Sequence, residues 1–502
     1  REKVKVPKKK KTTLKKIRII TKHTRGPLKL LRLMIEQNPN RFSEVTLGDK
    51  GDVLWLAPPF RDPDLDYIGD RLINFIPGFQ DVSEKKELSK HLALMTSFFP
   101  EAYTFYPKTW LFPEQSDEVL AAMGQGRTRC YIIKPTLSSQ GDGISIVKSE
   151  RDLMHVSRLG DVVIQEYIDP PMLLYNKKFD LRIYVAITNV EPFVAFVCEE
   201  GMVRFCTENY EEPTTANFTN ACMHLTNYSI NKISPKYIRS DELVQPTEAT
   251  KQTITSLKNT FAELGYDWGP LWDEVKNLVA KSLISVQPWL VFSRNEVLGK
   301  SGTKNLRGFH IIGFDVLIDA ELKPWLLEIN NHPSLSIDFE AEHFCGPELM
   351  ERSLVDEHIK TIAVKGAILI ARKSMERQAQ LETFQNYTRV LPMGSRYDTE
   401  IHFLERLWRL FDHLSGVRGS KFITSGRFRK IGTWLKEAGY TNIELVSLDI
   451  LYKTLTVKAQ AAALDWFLFL EALKKIAGML TTGSSHLNSL GLLLDSVESH
   501  YQ

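Results

Sequence analysis

Asp315 interrupts the apolar run Ile311 to Ile318, and Glu328-Ile329-Asn330 closes a second run that begins at Pro324. Asp319-Ala320-Glu321-Leu322 joins them, so the pair reads as a buried hairpin. Residues two apart in a strand face one side, so Glu328 and Asn330 project together and the pairing sets Asp315 opposite them. Two carboxylates and an amide oxygen make a hard, all-oxygen site suited to Mg²⁺ held between protein and nucleotide phosphates. Acids at exposed strand ends would look similar, but charges within strands this apolar need a partner.

A second pattern could bind the phosphates. Ile133-Lys134-Pro135 ends a strand, and Ser138-Ser139-Gln140-Gly141-Asp142-Gly143 turns into another at Ile144. Backbone amides of a glycine turn approach phosphate closely, and the lysine adds a point charge. The turn lacks the Gly-Lys-Ser/Thr ending of a Walker loop and opens a strand, not a helix. Alone, an ordinary hairpin turn accounts for it. In Lys178-Phe179-Asp180-Leu181-Arg182-Ile183-Tyr184, alternation puts Lys178, Asp180, Arg182 and Tyr184 on one face and apolar residues on the other. A ladder of strand ion pairs would read the same. Arg204, His224 and Asn227 are further polar residues in apolar settings.

These groups require strands to hold them, and strand-like runs recur at Cys130 to Lys134, Ile144 to Lys148, Val162 to Tyr167, Leu181 to Thr188 and Phe193 to Cys198. A helical pattern (Leu28, Leu31, Met34, Ile35) and a short strand at Val53 to Leu56 precede them. The stretch from about Ser240 to Ile284 reads as mostly helical, and Met375 to Asp398 as a polar linker or bridging helix. The mixture predicts an α/β or α+β chain with several antiparallel strands. Beyond Ile401 the pattern Phe403-Leu404, Leu407-Trp408, Leu410-Phe411, Leu414 is that of an amphipathic helix, with another over Leu464 to Ala477, predicting an appended all-α module.

The 502 residues, 43% hydrophobic and 25% charged, suffice for two or three domains with real cores. No window holds the roughly 18 apolar residues of a membrane span, and the basic N-terminus has no apolar segment behind it, so no span and no export are expected. Cys130, Cys198, Cys206, Cys222 and Cys345 are odd in number and show no zinc-ligand spacing; they read as reduced thiols of a cytosolic chain. Residues 1–25 carry twelve Lys/Arg and one Glu, and removing this net +11 from the total of +3 leaves −8 elsewhere. Such a basic arm attracts acidic surfaces. Without interleaved aromatics, it points to an acidic protein ahead of nucleic acid.

Lys134, the glycine turn, Gln165-Glu166-Tyr167-Ile168, Lys178 to Arg182, Arg204-Phe205, Met223-His224-Leu225-Thr226-Asn227-Tyr228-Ser229 and Asp315 with Glu328-x-Asn330 occur in the order and at about the spacing of the tubulin tyrosine ligase-like family. The chain resembles its tubulin polyglutamylases across about Lys22 to Lys373. The resemblance implies an ATP-grasp fold divided as a basic arm (1–25), an N-terminal α/β lobe (26–80), a central lobe (81–177), a C-terminal lobe with the Mg/ATP site (178–378), a linker (379–400) and the helical module (401–502). It implies that ATP is bound by Lys85, Lys134, Gln140, Gly141, Gly143, the hinge Gln165, Glu166, Tyr167 and Ile168, by Lys178, Asp180 and Arg182, and by His224, Leu225, Thr226 and Asn227. Asp315, Glu328 and Asn330 would hold Mg²⁺, and Arg204, Lys134 and Glu328 would be catalytic. Arg182, Arg204, Asn331 and His332 would face the substrate. Asn331-His332-Pro333 departs from the residues usual before that proline in the family.

The implied reaction joins free glutamate, through an acyl-phosphate, to glutamate side chains in acidic tubulin tails, in the cytoplasm, on the cytoskeleton and at a cilium or basal body. A monomer without nucleic-acid or membrane partners is expected. A glycylase of the same family would differ only in its amino-acid pocket; a non-catalytic microtubule binder would gain nothing from gathering acids that are costly to bury. The segments Arg427 to Lys430, Val446 to Leu451 and Asp465 to Leu473 faintly resemble the EF-hand-like domain of tubulin polymerisation-promoting proteins. No calcium-loop acids are in register, so no calcium is expected.

Overall fold

The computed structural model describes residues 16–501 except 23, 25–26, 46–49, 57–67, 125–128, 137, 139–140, 157–159, 241, 302–305, 342–348, 374–376, 378–379, 392–393, 417–419 and 482–485. Gln140, Cys345 and the first fifteen residues of the basic arm lie outside the described residues. A parallel sheet opens the chain, formed by β1 (Ile17–Ile20), β2 (Phe42–Val45), β3 (Val53–Leu54) and β4 (Leu72–Ile73) in the order β2-β1-β3-β4. Helix α1 (Leu28–Gln37) buries Leu31 and Met34 of the expected stripe together with Leu30, while Leu28 and Ile35 are half-buried. Helices α2 (Phe79–Ser83) and α3 (Lys85–Phe98) then lead to a second, antiparallel sheet.

That sheet is a small lobe of β5 (Thr109–Phe112), β6 (Tyr131–Pro135), β7 (Ser145–Val147) and β8 (Val162–Glu166) in the order β5-β8-β6-β7. Helices α4 (Ser116–Gly124) and α5 (Glu150–Val156) accompany it. Tyr131 and Ile133 point into its own small core with Trp110, Val162 and Ile164. Alternation therefore turns Ile132 and Lys134 outward, to the cleft described below.

The main sheet begins at β9 (Leu173–Leu174) and is dominated by β10 (Lys177–Val190) and β11 (Phe193–Phe205). After α6 (Ala221–His224) and α7 (Tyr228–Asn231), β12 (Lys251–Thr253) pairs with β11. The segment read as helical from Ser240 thus enters through a strand before α8 (Ile254–Glu263) and the 34-residue α9 (Trp268–Ser301). The hairpin β13 (His310–Ile318) and β14 (Pro324–Asn330) completes one side. Phe179, Leu181, Ile183, Val185 and Ile187 share one core with α9, while Tyr184 and Ala186 share another with α1 and α10 (Leu354–Ala371). A pair, β15 (Asp338–Ala341) and β16 (Leu349–Arg352), precedes α10.

Residues 379–400, expected as a linker, instead contain the hairpin β17 (Thr383–Phe384) and β18 (Tyr387–Leu391), which extends the main sheet from β11. Val390 and Leu391 are fully buried, and burial drives this docking. Helices α11 (Asp398–Ser415), α12 (Ser425–Glu437), α13 (Leu445–Lys458), α14 (Trp466–Leu480) and α15 (His486–Val497) then pack around their own core. Among the described residues no helix is long and apolar enough to cross a membrane.

Candidate active site

Between the small lobe and the main sheet lies a cleft with about 810 Å³ of free space, part of it open to solvent. β6 and β8 supply Lys134, Gln165 and Glu166 from one side; β10, β11, β13 and β14 supply Lys178, Asp180, Arg204, Asp315 and Glu328 from the other. Strand register explains the second set. Asp180 lies opposite Arg204, Arg182 opposite Asp315, and Asp315 opposite Glu328. A register shift after Asp315 lets Glu328 meet it while Leu326 pairs with Val316.

The charges are tightly paired. Arg204 donates Nε to Asp180 Oδ1 at 2.8 Å and Nη2 to Asp180 Oδ2 at 2.5 Å, and its Nη2 also lies 2.8 Å from Asp315 Oδ2. Arg182 forks onto Asp315 from the neighbouring strand at 2.5 and 3.0 Å. Thr226 Oγ1 donates to Asp180 Oδ2 at 2.7 Å. Burial acts to raise the Asp315 carboxyl, but Arg182 and Arg204 hold it well below the usual carboxylate range. Glu328 goes the other way: burial and then the charge of Asp315 push it up, with Lys134 opposing.

Asn330 Nδ2 donates to Glu328 Oε1 at 3.2 Å and reaches Asp315 Oδ2 at 3.4 Å. A buried and a half-buried carboxylate bridged by one amide, with one carboxyl raised by its neighbour, are the donor chemistry that fits a hard divalent cation. These residues therefore fit Mg²⁺.

Three lysines line the same cleft: Lys134 from the small lobe, Lys85 from α3 and Lys178 from β10 on the side of the acids. Lys134 is buried and donates to Gln165 Oε1 at 2.8 Å and to the carbonyl of Leu327 at 3.4 Å. Burial pulls its ammonium down to about 8; Glu328 pulls it upward, and Lys85 and Lys178 push it down further. Lys85 donates to the carbonyl of Ser138, before the glycine turn, at 2.6 Å. The neighbouring Lys86 turns away to Glu114 and Asp161, so Lys85 is the one of the pair that lines the cleft. Lys178 Nζ donates to Tyr167 Oη at 2.8 Å, which lies 3.1 Å from His224 Nδ1. Burial and then Lys178 lower His224 to about 4, so it is neutral near pH 7 and its Nδ1 can accept the tyrosine proton.

Gly141 lines the cleft with φ +88°, and a Cβ there would meet Ile230 Cδ1 at 2.7 Å. The backbone therefore needs glycine at this position. Tyr167, Ile168 and His224 to Asn227 also line the cleft. Arg182, Asn330 and Gly143 do not line it, though the first two are bonded to its acids. Asn331 and His332 are not in this cleft. His332 stacks on His310 with centroids 5.4 Å apart and lines a separate cavity with Trp55, Asn74 and Ser334. The Asn331 carbonyl accepts from His310 Nε2 at 3.0 Å.

Sequence reasoning missed the apolar walls Ile132, Ile144, Leu317 and Leu327 and the lining Pro107. Ile132 and Leu317 stand two residues from Lys134 and Asp315, so the same alternation would have found them.

A family model described as the tubulin-tyrosine ligase family matches residues 64–363, more than half of the chain. The chain is similar to tubulin polyglutamylase TTLL11 of Homo sapiens, 29% identical over 457 residues that make up 82% of this chain and 63% of that protein. It is 36% identical over 284 residues to tubulin polyglutamylase ttll6 of Danio rerio, covering 56% of this chain and 35% of the relative. A protein of Tetrahymena thermophila named probable beta-tubulin polyglutamylase is 32% identical over 311 residues, 62% of this chain and 26% of the relative. The chain thus spans from about a quarter to just under two thirds of the length of these relatives.

Proposed function

The chain belongs to the tubulin-tyrosine ligase family, and on that premise we propose that it is an ATP-dependent ligase that adds glutamate, through an amide bond, to glutamate side chains in tubulin tails. We read the two facing lobes as an ATP-grasp arrangement. The observation that carries the reading is one cleft lined by three lysines and by two adjoining carboxylates, Asp315 and Glu328, with Arg204 against Asp315. Lysines suit a nucleotide's phosphates and the carboxylates suit the metal that accompanies them. The relatives named as tubulin polyglutamylases supply the acceptor and the added amino acid.

An amide does not form from a carboxylate and an amine at neutral pH without a leaving group. The acceptor carboxylate attacks the γ-phosphorus of ATP, ADP leaves, and an acyl-phosphate forms; the glutamate amine then attacks the acyl carbon and phosphate leaves. Lys85 and Lys134 neutralise the transferring phosphoryl group, and Gln165 to Ile168 hold the base. Asp315, Glu328 and Asn330 would hold Mg²⁺, which when bound supplies charge stabilisation at the phosphates. Arg204, fixed by Asp180 and Asp315, faces the developing oxyanion or departing phosphate. A fixed donor there contributes about 10²- to 10³-fold in rate. No covalent intermediate with the protein is needed.

The test is to incubate the chain with microtubules, ATP and, separately, glutamate, glycine or tyrosine, and to read tail masses. Glutamate additions that vanish in Glu328→Gln, with an unchanged melting profile, support the proposal. Full activity in Glu328→Gln, or glycine additions alone, would sink it.

A further inference from the structure

Helix α3 (Lys85–Phe98) joins three bodies that are otherwise separate cores. Its first turn grips the small lobe: Lys85 holds the Ser138 carbonyl, and Lys86 holds Glu114 at 2.5 Å and Asp161 at 3.6 Å. Its middle, through Leu88, Leu92 and Met95, is built into the core of the main sheet. Its last turn belongs to the C-terminal module, where Phe98 packs edge-on against Phe403 of α11 with centroids 5.2 Å apart. From α14, Lys474 Nζ lies 4.6 Å from the Phe98 ring and donates to Ser97 Oγ at 2.5 Å. The Phe467 ring sits 4.9 Å from buried His91 and within 5.5 Å of Lys90 Nζ.

The helix has no glycine or proline in its fourteen residues and so transmits displacement along about 21 Å as a stiff rod. We propose that the C-terminal helical module sets the position of Lys85 and the glycine turn through this helix, so that Phe467 and Lys474 are positioning residues for nucleotide binding. The main-sheet core holds the middle of α3, so a push of α14 on its last turn pivots the helix there and shifts its first turn, which Lys85 and Lys86 tie to the small lobe by polar bonds. The module thereby controls how the small lobe closes over phosphates. This rests on the reading of the cleft as a nucleotide site.

Phe467→Ala and the milder Lys474→Met, each alone and each with Lys85→Ala, are compared in the full chain for affinity toward a fluorescent ATP analogue. Amide exchange without nucleotide is followed in parallel. Either single variant is expected to weaken the nucleotide about tenfold while Lys85 is present, and to change nothing further in the Lys85→Ala background. Exchange is expected to rise in residues 85–89 and 141–144. Equal losses in both backgrounds, or unchanged exchange there, overturn the coupling. Failure of the wild-type chain to bind nucleotide overturns the reading of the cleft instead, and the exchange result still decides the coupling.

Discussion

Lys134→Met separates what the cleft costs from what it does. Lys134 is buried, and its ammonium is lowered from 10.5 to about 8, mainly by loss of water. That difference corresponds to about 3 kcal/mol charged against folding near pH 7. Replacement by methionine, of similar length and no charge, removes the cost. The same change leaves Gln165 Oε1 without its 2.8 Å donor, a loss of about 1 kcal/mol. The net expectation is a variant more stable by about 2 kcal/mol at pH 7.

The sign with pH follows from the same group. Between about 8 and 10.5 the unfolded chain keeps the lysine proton that the folded chain has released, so wild-type stability rises with pH across that window. By pH 9.5 only about 1 kcal/mol of the cost remains, and the advantage of methionine shrinks toward zero. Denaturant unfolding at the two pH values measures this, and ATP titration measures the other side. Affinity is expected to fall about tenfold or more if Lys134 is the charged donor to phosphate that we propose. A methionine variant less stable than wild type at pH 7, or an advantage unchanged between pH 7 and 9.5, would refute the reasoning.

Arg204→Met leaves Asp180 and Asp315 without their shared partner and should destabilise the chain by about 3–5 kcal/mol in denaturant unfolding. Arg204→Lys keeps the charge but not the fork, and kcat for amino-acid addition should drop about 10²-fold; an undiminished kcat would remove Arg204 from the chemistry. Gly143→Ala meets φ +69° and a Pro135 Cγ 2.9 Å from the new Cβ, and should cost about 1–2 kcal/mol. Thermal melts against Gly124→Ala, where nothing lies within 4 Å, provide the control. Deleting Arg1 to Lys16 should raise KM for microtubules more than for a soluble tail peptide, with the gap closing at high salt; equal effects would rule out docking by the arm.

The chemistry was legible where strands carry it. Period-two alternation is enough to put Lys178, Asp180 and Arg182 on one face, and a short turn is enough to bring Asp315 to Glu328, because both follow from backbone geometry. At Lys85 alternation gave no such reading, and the family resemblance alone pointed to it. Neighbours on a helix point about 100° apart, and only the lobe that Lys86 grips decides which of them enters the cleft. Asn331 and His332 directly follow Glu328 and Asn330 in sequence, yet the chain leaves the strand there and His332 stacks on His310.

The hairpin at 383–391 hid behind its polarity. Phe384-Gln385-Asn386-Tyr387 is a two-residue turn with φ of +50° and +64° at its centre, and the asparagine was the signal for it.

That hairpin also has a practical consequence. Ala195, Phe196, Val197 and Cys198 of β11 are fully buried, and β18 is what pairs with them on that side. A chain cut near residue 378, at the boundary its sequence invites, would present an open row of backbone donors and acceptors along an apolar strand. Such a row recruits the same strand from another molecule. A chain shortened in this way should precipitate or pair with itself, whereas one that runs through Leu391 keeps its own edge closed.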